Sequence, residues 1–164
     1  MCKMKKLFLI FKYSLISGIV IRISDFISVL ILTGSAGEWS AADENIAFAI
    51  HMVISILLFL WVGFRLKRYT KKEIFFSAVF IVCYYAFILA AEQITQKIGA
   101  YSMTVFLWAF LPLELYSSAT TMLVKLTSAE TIGIIFALPS LFIPFLFCLF
   151  GKSENLGNIH KKDS

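Results

Sequence analysis

The sequence predicts an all-α fold, a polytopic bundle of transmembrane helices with a cytoplasmic N-terminus. Three observations carry that expectation. Hydrophobic residues make up 60% of the chain, against roughly 45–50% in soluble domains, and the mean hydropathy is +0.87. The apolar residues gather in five runs, each near the ~20 residues that cross ~30 Å of hydrocarbon at 1.5 Å per residue. Basic residues sit in short blocks between the runs. A soluble protein of 164 residues has too little interior to hide so much apolar surface, so a bilayer is the expected solvent. One integral membrane domain over residues 1–164 follows, with no soluble domain, linker or internal repeat.

The first run, Tyr13–Gly34, comes after the basic start MCKMKKLFLIFK. That start looks like a secretory signal, but Lys12 interrupts its apolar part, hydrophobicity continues to Leu32, and no A-x-A-like site follows. An uncleaved first membrane helix is the better reading. The loop SAGEWSAADEN then carries Glu38, Asp43 and Glu44 and no basic residue, and leads into the second run, Ile46–Phe64. RLKRYTKK, Arg65 to Lys72, joins it to the third, Ile74–Ala91. Lysine and arginine stay on the cytoplasmic side, so the N-terminus and RLKRYTKK belong inside and the acidic loop outside. The expected location is the plasma (cytoplasmic) membrane of a bacterium.

The fourth and fifth runs, Tyr101–Leu126 and Thr131–Phe150, set length against charge. Five full crossings would put Lys152, Lys161 and Lys162 outside. A fourth run that turns back at Leu-Pro-Leu-Glu, Leu111 to Glu114, gives four crossings and puts those lysines inside. Length and hydropathy tip the expectation to five, because irregular backbone at membrane depth needs shielding by protein. The net charge of +5 reads as topology signal and attraction to anionic headgroups, not as a nucleic-acid interface. The partners expected are the lipid bilayer and other membrane subunits or a second copy of the chain.

Polar residues are not scattered. At 100° per residue, Ser14, Ser17, Gly18, Arg22, Ser24, Asp25 and Ser28 fall within roughly 160° of the first helix, opposite an aliphatic face. Glu44, Ala47, His51 and Ser55 share a face of the second. Ser77, Tyr84 and Ala91 do so on the third, with Tyr85 and Glu92 nearby. Glu114, Ser117, Ser118, Thr121 and Lys125 line the fourth, and Gly133, Ala137, Ser140, Pro144 and Cys148 the fifth. Small and hydroxyl residues pack and hydrogen-bond between membrane helices, so these stripes are the expected inward faces.

Each charge near the bilayer centre costs about 2.5–3.5 kcal/mol. Arg22 and Asp25, at i and i+3, can reach each other on one face, and either an ion pair that fixes helix rotation or a substrate, ion or proton role follows. Glu114, just after Pro112, is a second intramembrane candidate, as a cation or proton site at a broken helix or as the partner of Arg22. His51 would lie about a turn and a half inside the outer end of its helix, in reach of proton exchange. Glu44 shares its face, but no third metal ligand is placed. Lys125 closes the polar face of the fourth run. Glu92 and Gln93 read as solvated residues at the outer boundary, and Trp39, Trp61, Tyr69, Tyr101 and Trp108 as interfacial or lipid-facing aromatics. Pro139 and Pro144 predict a kinked last helix.

Soluble-enzyme chemistry finds no motif. P-loop, Rossmann glycine, HExxH and GxSxG patterns are missing. Cys2, Cys83 and Cys148 form no CxxC, so packing is expected of the latter two and lipidation of Cys2 has only its basic neighbours in its favour. No cofactor or metal is expected. A non-enzymatic, partner-binding membrane subunit is the leading expectation. A small solute, ion or proton-coupled transporter through Arg22, Asp25, His51 and Glu114 is the alternative. A membrane-embedded enzyme built on His51 with Asp25 or Glu92 comes last.

Overall fold

The computed structural model describes residues 7–34, 40–127 and 138–153, and all regular structure there is helical. Three long helices, α1 (Leu9–Thr33), α2 (Ala41–Leu66) and α3 (Lys71–Lys97), precede the short α4 (Met103–Ala109). A 3-10 turn over Leu111–Leu113 leads into α5 (Glu114–Thr127). The last helix, α6 (Leu138–Leu146), ends in a second 3-10 turn, Phe147–Leu149.

The long helices have 25, 26 and 27 residues, or about 38 to 40 Å at 1.5 Å per residue, and are apolar enough to cross a membrane. The second and third of them overrun their apolar runs because polar residues cap them. Ser40 accepts from the Asp43 N–H while Asp43 accepts from the Ser40 N–H, and Thr70 and Glu73 repeat the arrangement before α3. These reciprocal caps satisfy amides that the first turn leaves unbonded. Lys12 does not interrupt α1, which starts at Leu9. Gly99, with φ of +71°, follows the end of α3, a backbone conformation open to glycine.

One side of each long helix is apolar and uncovered. On α1, Ile23, Phe26, Ile27, Leu30 and Ile31 are exposed, Ile31 by 71%, a surface that suits hydrocarbon and not water. The serine side turns inward, with Ser14, Ser17, Ser28, Ser55, Ser77, Ser118 and Ser140 all buried. Cys83, expected to pack inside, is exposed instead. Gly133, Ala137, Trp39 and Cys2 lie outside the described residues.

The fourth run is not one helix. It breaks at Leu111–Leu113 beside Pro112, whose ring and missing N–H disrupt a continuing helix. The Tyr84 hydroxyl, midway along α3, donates to the Ala109 carbonyl at 2.8 Å. Gly18, near the middle of α1, lies so close to the Leu111 carbonyl that a Cβ there would collide with it. The far end of α5 returns to the start of α2, where Lys125 Nζ is 3.2 Å from Glu44 Oε1 and 2.9 Å from Asn45 Oδ1. Lys152 pairs its backbone with Tyr69 and Lys71 at 2.9 and 3.1 Å. The end of the α6 region therefore lies beside RLKRYTKK.

The tightest core sits toward that RLKRYTKK end. Ile10, Leu66, Ile74, Ile81, Leu113, Tyr116 and Phe147 are each at most 1% exposed. Phe59 stacks on Phe147 with centroids 4.5 Å apart. Polar ties among the described residues there join Ser14 with Tyr116, and Ser77 with the Leu7 carbonyl and Ile10 N–H.

Candidate functional site

Three helices each present two polar side chains at one level: Arg22 and Asp25 from α1, His51 and Ser55 from α2, Glu114 and Ser118 from α5. Spacings of three and four put both members of each pair on one helix face. Arg22 and Asp25, which spacing allows to pair with each other, take separate partners, and Arg22 takes Glu114, the other partner the sequence offers for it. Arg22 Nη2 lies 3.2 Å from both Glu114 carboxylate oxygens. Both Asp25 oxygens lie 3.0 Å from His51 Nδ1. The physical reason is proximity across the bundle: α5 begins beside the middle of α1 and α2 packs along it, so each charge meets a complementary group from another helix.

His51 bridges. Its Nε2 is 3.0 Å from the Ser118 hydroxyl, which donates to Ser55 Oγ at 2.8 Å. An ionised Asp25 accepts from Nδ1–H, which leaves Nε2 as an acceptor aimed at Ser118. The result is an Asp–His–Ser chain within hydrogen-bond reach at both links, the geometry by which a serine is activated as a nucleophile. His51 sits deeper than the sequence suggests, about three turns from the start of α2, because the Ser40 cap extends that helix to Ala41.

One concavity of about 490 Å³ runs along α1 at Arg22, Asp25 and Phe26, and two others flank the His51–Ser118 contact. The first of these two, of about 260 Å³, is lined by Asp25, Glu44, His51, Thr121 and Lys125 and by the apolar Val29, Ala47 and Phe48. It lies at the end of the bundle where Lys125 meets Glu44. The second, of about 310 Å³, is an apolar groove between α2, α5 and α6, with Ser55 and Ser118 as its only polar residues. His51 thus faces the polar pocket and Ser118 the apolar groove, joined by one hydrogen bond.

Glu92 stays out of the cluster and makes no hydrogen bond or ion pair with its members. Lys125 caps the polar pocket with Glu44 and Asn45 and lies over the Phe48 ring at 4.8 Å. Among the described residues, no three His, Cys, Asp or Glu side chains come together as a metal site. Sequence reasoning placed Ser118 only on an inward stripe. The signal that could have promoted it is the matching pair of i, i+4 spacings, His51/Ser55 and Glu114/Ser118. No protein-family model matches the chain, and comparison with curated proteins and with solved structures finds no match.

Proposed function

We propose that this is a membrane-embedded enzyme of the nucleophilic, acyl-transferring kind, with Ser118 as nucleophile, His51 as general base and Asp25 as positioning residue. The observation that carries the reading is the double hydrogen bond of His51, 3.0 Å to Asp25 and 3.0 Å to Ser118. His51 Nε2 takes the hydroxyl proton as Ser118 Oγ bonds to a carbonyl carbon. Asp25 balances the imidazolium that forms, and His51 then returns the proton to the leaving oxygen. Water repeats the sequence in the second half-reaction and frees the serine. Ser55 Oγ accepts from the Ser118 hydroxyl at 2.8 Å, and Ser118 turns that proton to His51 Nε2 as it is activated. The Arg22–Glu114 pair fixes the start of α5 against α1 and so sets the position of Ser118, one turn on.

The membrane arrangement that fits this site has four crossings: α1, α2, α3 and the fifth apolar run of the sequence. Between the third and fourth, α4 and α5 form a re-entrant hairpin from the outer side. This is the reading that charge favoured and length did not. The Tyr84–Ala109 and Lys125–Glu44 contacts support it. It puts the N-terminus, RLKRYTKK and Lys152 in the cytoplasm and the polar pocket outside. The packed residues around Leu113, Tyr116 and Phe147 close the inner half, which favours a one-sided site over a transport path.

A fluorophosphonate probe tests the chemistry on protein purified into liposomes. Covalent labelling of Ser118 is expected, lost in Ser118→Ala and cut by on the order of 10⁴-fold in rate in His51→Gln, the scale of triad losses. A wild-type protein that never labels, with Ser118→Ala fully active in cells, would return the cluster to an interhelical tie and the chain to a non-enzymatic subunit.

A further inference from the structure

We infer that the substrate is an ester-linked glycerophospholipid of the outer leaflet with a zwitterionic headgroup, its acyl chain lying in the groove between α2, α5 and α6. This rests on the nucleophilic reading of Ser118. Groove and pocket have the two chemistries of such a lipid, and they meet at the reacting groups. The groove follows α2 from Met52 to Leu60, about 12 Å at 1.5 Å per residue, and its walls are aliphatic, aromatic and methionine side chains. Met52 and Met122 flank its outer part, and methionine adapts to chains of varied shape. In a bilayer the solvent of such a groove is acyl chain, and no water competes for it.

The pocket at the outer end supplies the complement of a zwitterion. Lys125 offers an ammonium to a phosphate and its partner Glu44, 61% exposed, a carboxylate to a headgroup amine, so that the two charges of the lipid replace their mutual contact. A lipid with head in the pocket and tail in the groove brings its ester to the level of the His51–Ser118 hydrogen bond. Ser118 Oγ then bonds to the acyl carbon as the bond from that carbon to the glycerol oxygen breaks. The serine proton passes through His51 to the glycerol oxygen, and water later releases the fatty acid and restores Ser118.

Photocrosslinking of the full chain tests this. The protein is placed in phosphatidylcholine vesicles holding a trace of phosphatidylethanolamine with a diazirine on one acyl chain. Adducts are expected to concentrate on Met52, Ile56, Met122 and Leu146, above Ile31 and Phe87, which are 71% and 68% exposed. Ala119→Phe, which fills the groove, should cut groove adducts by about tenfold, equivalent to a tenfold weaker occupancy constant. Ile143→Trp does the same from the α6 wall should the first variant fail to insert. Adducts that merely follow exposure, or that ignore both fillings, would overturn the inference. So would equal labelling by a phosphatidylglycerol version, which lacks the amine. Groove adducts in a protein whose Ser118 never reacts with fluorophosphonate would keep the lipid site and sink the nucleophile.

Discussion

Arg22 and Asp25 look like partners in the sequence and are not partners in the fold. The distinction has a measurable consequence. If the two were an ion pair on one helix, exchanging them would keep the pair. Here the exchange sets an aspartate against Glu114 and an arginine against His51, so both interhelical contacts become unfavourable. The Arg22/Asp25 exchange should therefore lower the amount of protein in the membrane and its thermal midpoint in detergent. Exchanging Arg22 with Glu114 keeps a complementary pair across α1 and α5 and should retain both. Removing Arg22 alone strands a half-buried carboxylate. In a double-mutant cycle, Arg22→Ala and Glu114→Gln should couple by about 0.5–3 kcal/mol, the range for contacting residues. The cost of charge in hydrocarbon made the inward placement of these residues legible, because it depends on one helix face. Partner choice depends on which helix stands opposite and at what height, and a single stripe holds no information on that. The approach of Ser118 to His51 was hidden for the same reason.

At the scale of the element, the informative piece is the broken fourth run. Pro112 marked the break in the sequence, but the combined length of α4, turn and α5 equals that of a span, and hydropathy cannot tell a span from a hairpin. Gly18 was legible only as a small residue on a stripe. In the fold it admits the Leu111 carbonyl, and any side chain there meets backbone. Gly18→Val should cost about 1–3 kcal/mol or more, the range for overpacking. By moving the hairpin it should also abolish fluorophosphonate labelling of Ser118, although residue 18 touches none of the reacting groups. A Gly18→Val protein that labels normally would show that the hairpin turn does not set the site. At the start of α2 the cap gives a separate test. The Ser40 hydroxyl, and then its backbone N–H, hold the Asp43 carboxyl below its ordinary value of 3.8. A lowered carboxyl favours the folded cap above that value and loses its contribution as pH falls through the folded pKa. Ser40→Ala should move the Asp43 titration, followed by carboxyl NMR, back toward 3.8 and speed amide exchange over the first turn of α2.

For the whole molecule, the membrane class was written in composition, and the alternation of RLKRYTKK with the acidic loop carries the sidedness expected of the first three helices. The count of crossings was harder because two physical rules disagreed over one segment. Charge placement favoured a return to the outer side, and segment length favoured a crossing. The proposed four-crossing arrangement accommodates the contacts of Lys125 with Glu44 and of Lys152 with Tyr69 and Lys71, and single-cysteine labelling decides the matter in a membrane. In a background with Cys2, Cys83 and Cys148 replaced, Tyr101→Cys and Thr127→Cys flank the proposed hairpin, and Lys152→Cys follows α6. An impermeant maleimide added to intact cells should label positions 101 and 127 alike and leave 152 unlabelled until the membrane is opened. Five crossings predict a different pattern, with 127 protected and 152 labelled from outside. The two outcomes differ at two positions, so a single poorly reactive cysteine does not confuse them. The first also fixes which leaflet Ser118 can serve, because only a hairpin entering from outside brings its hydroxyl to outer-leaflet esters.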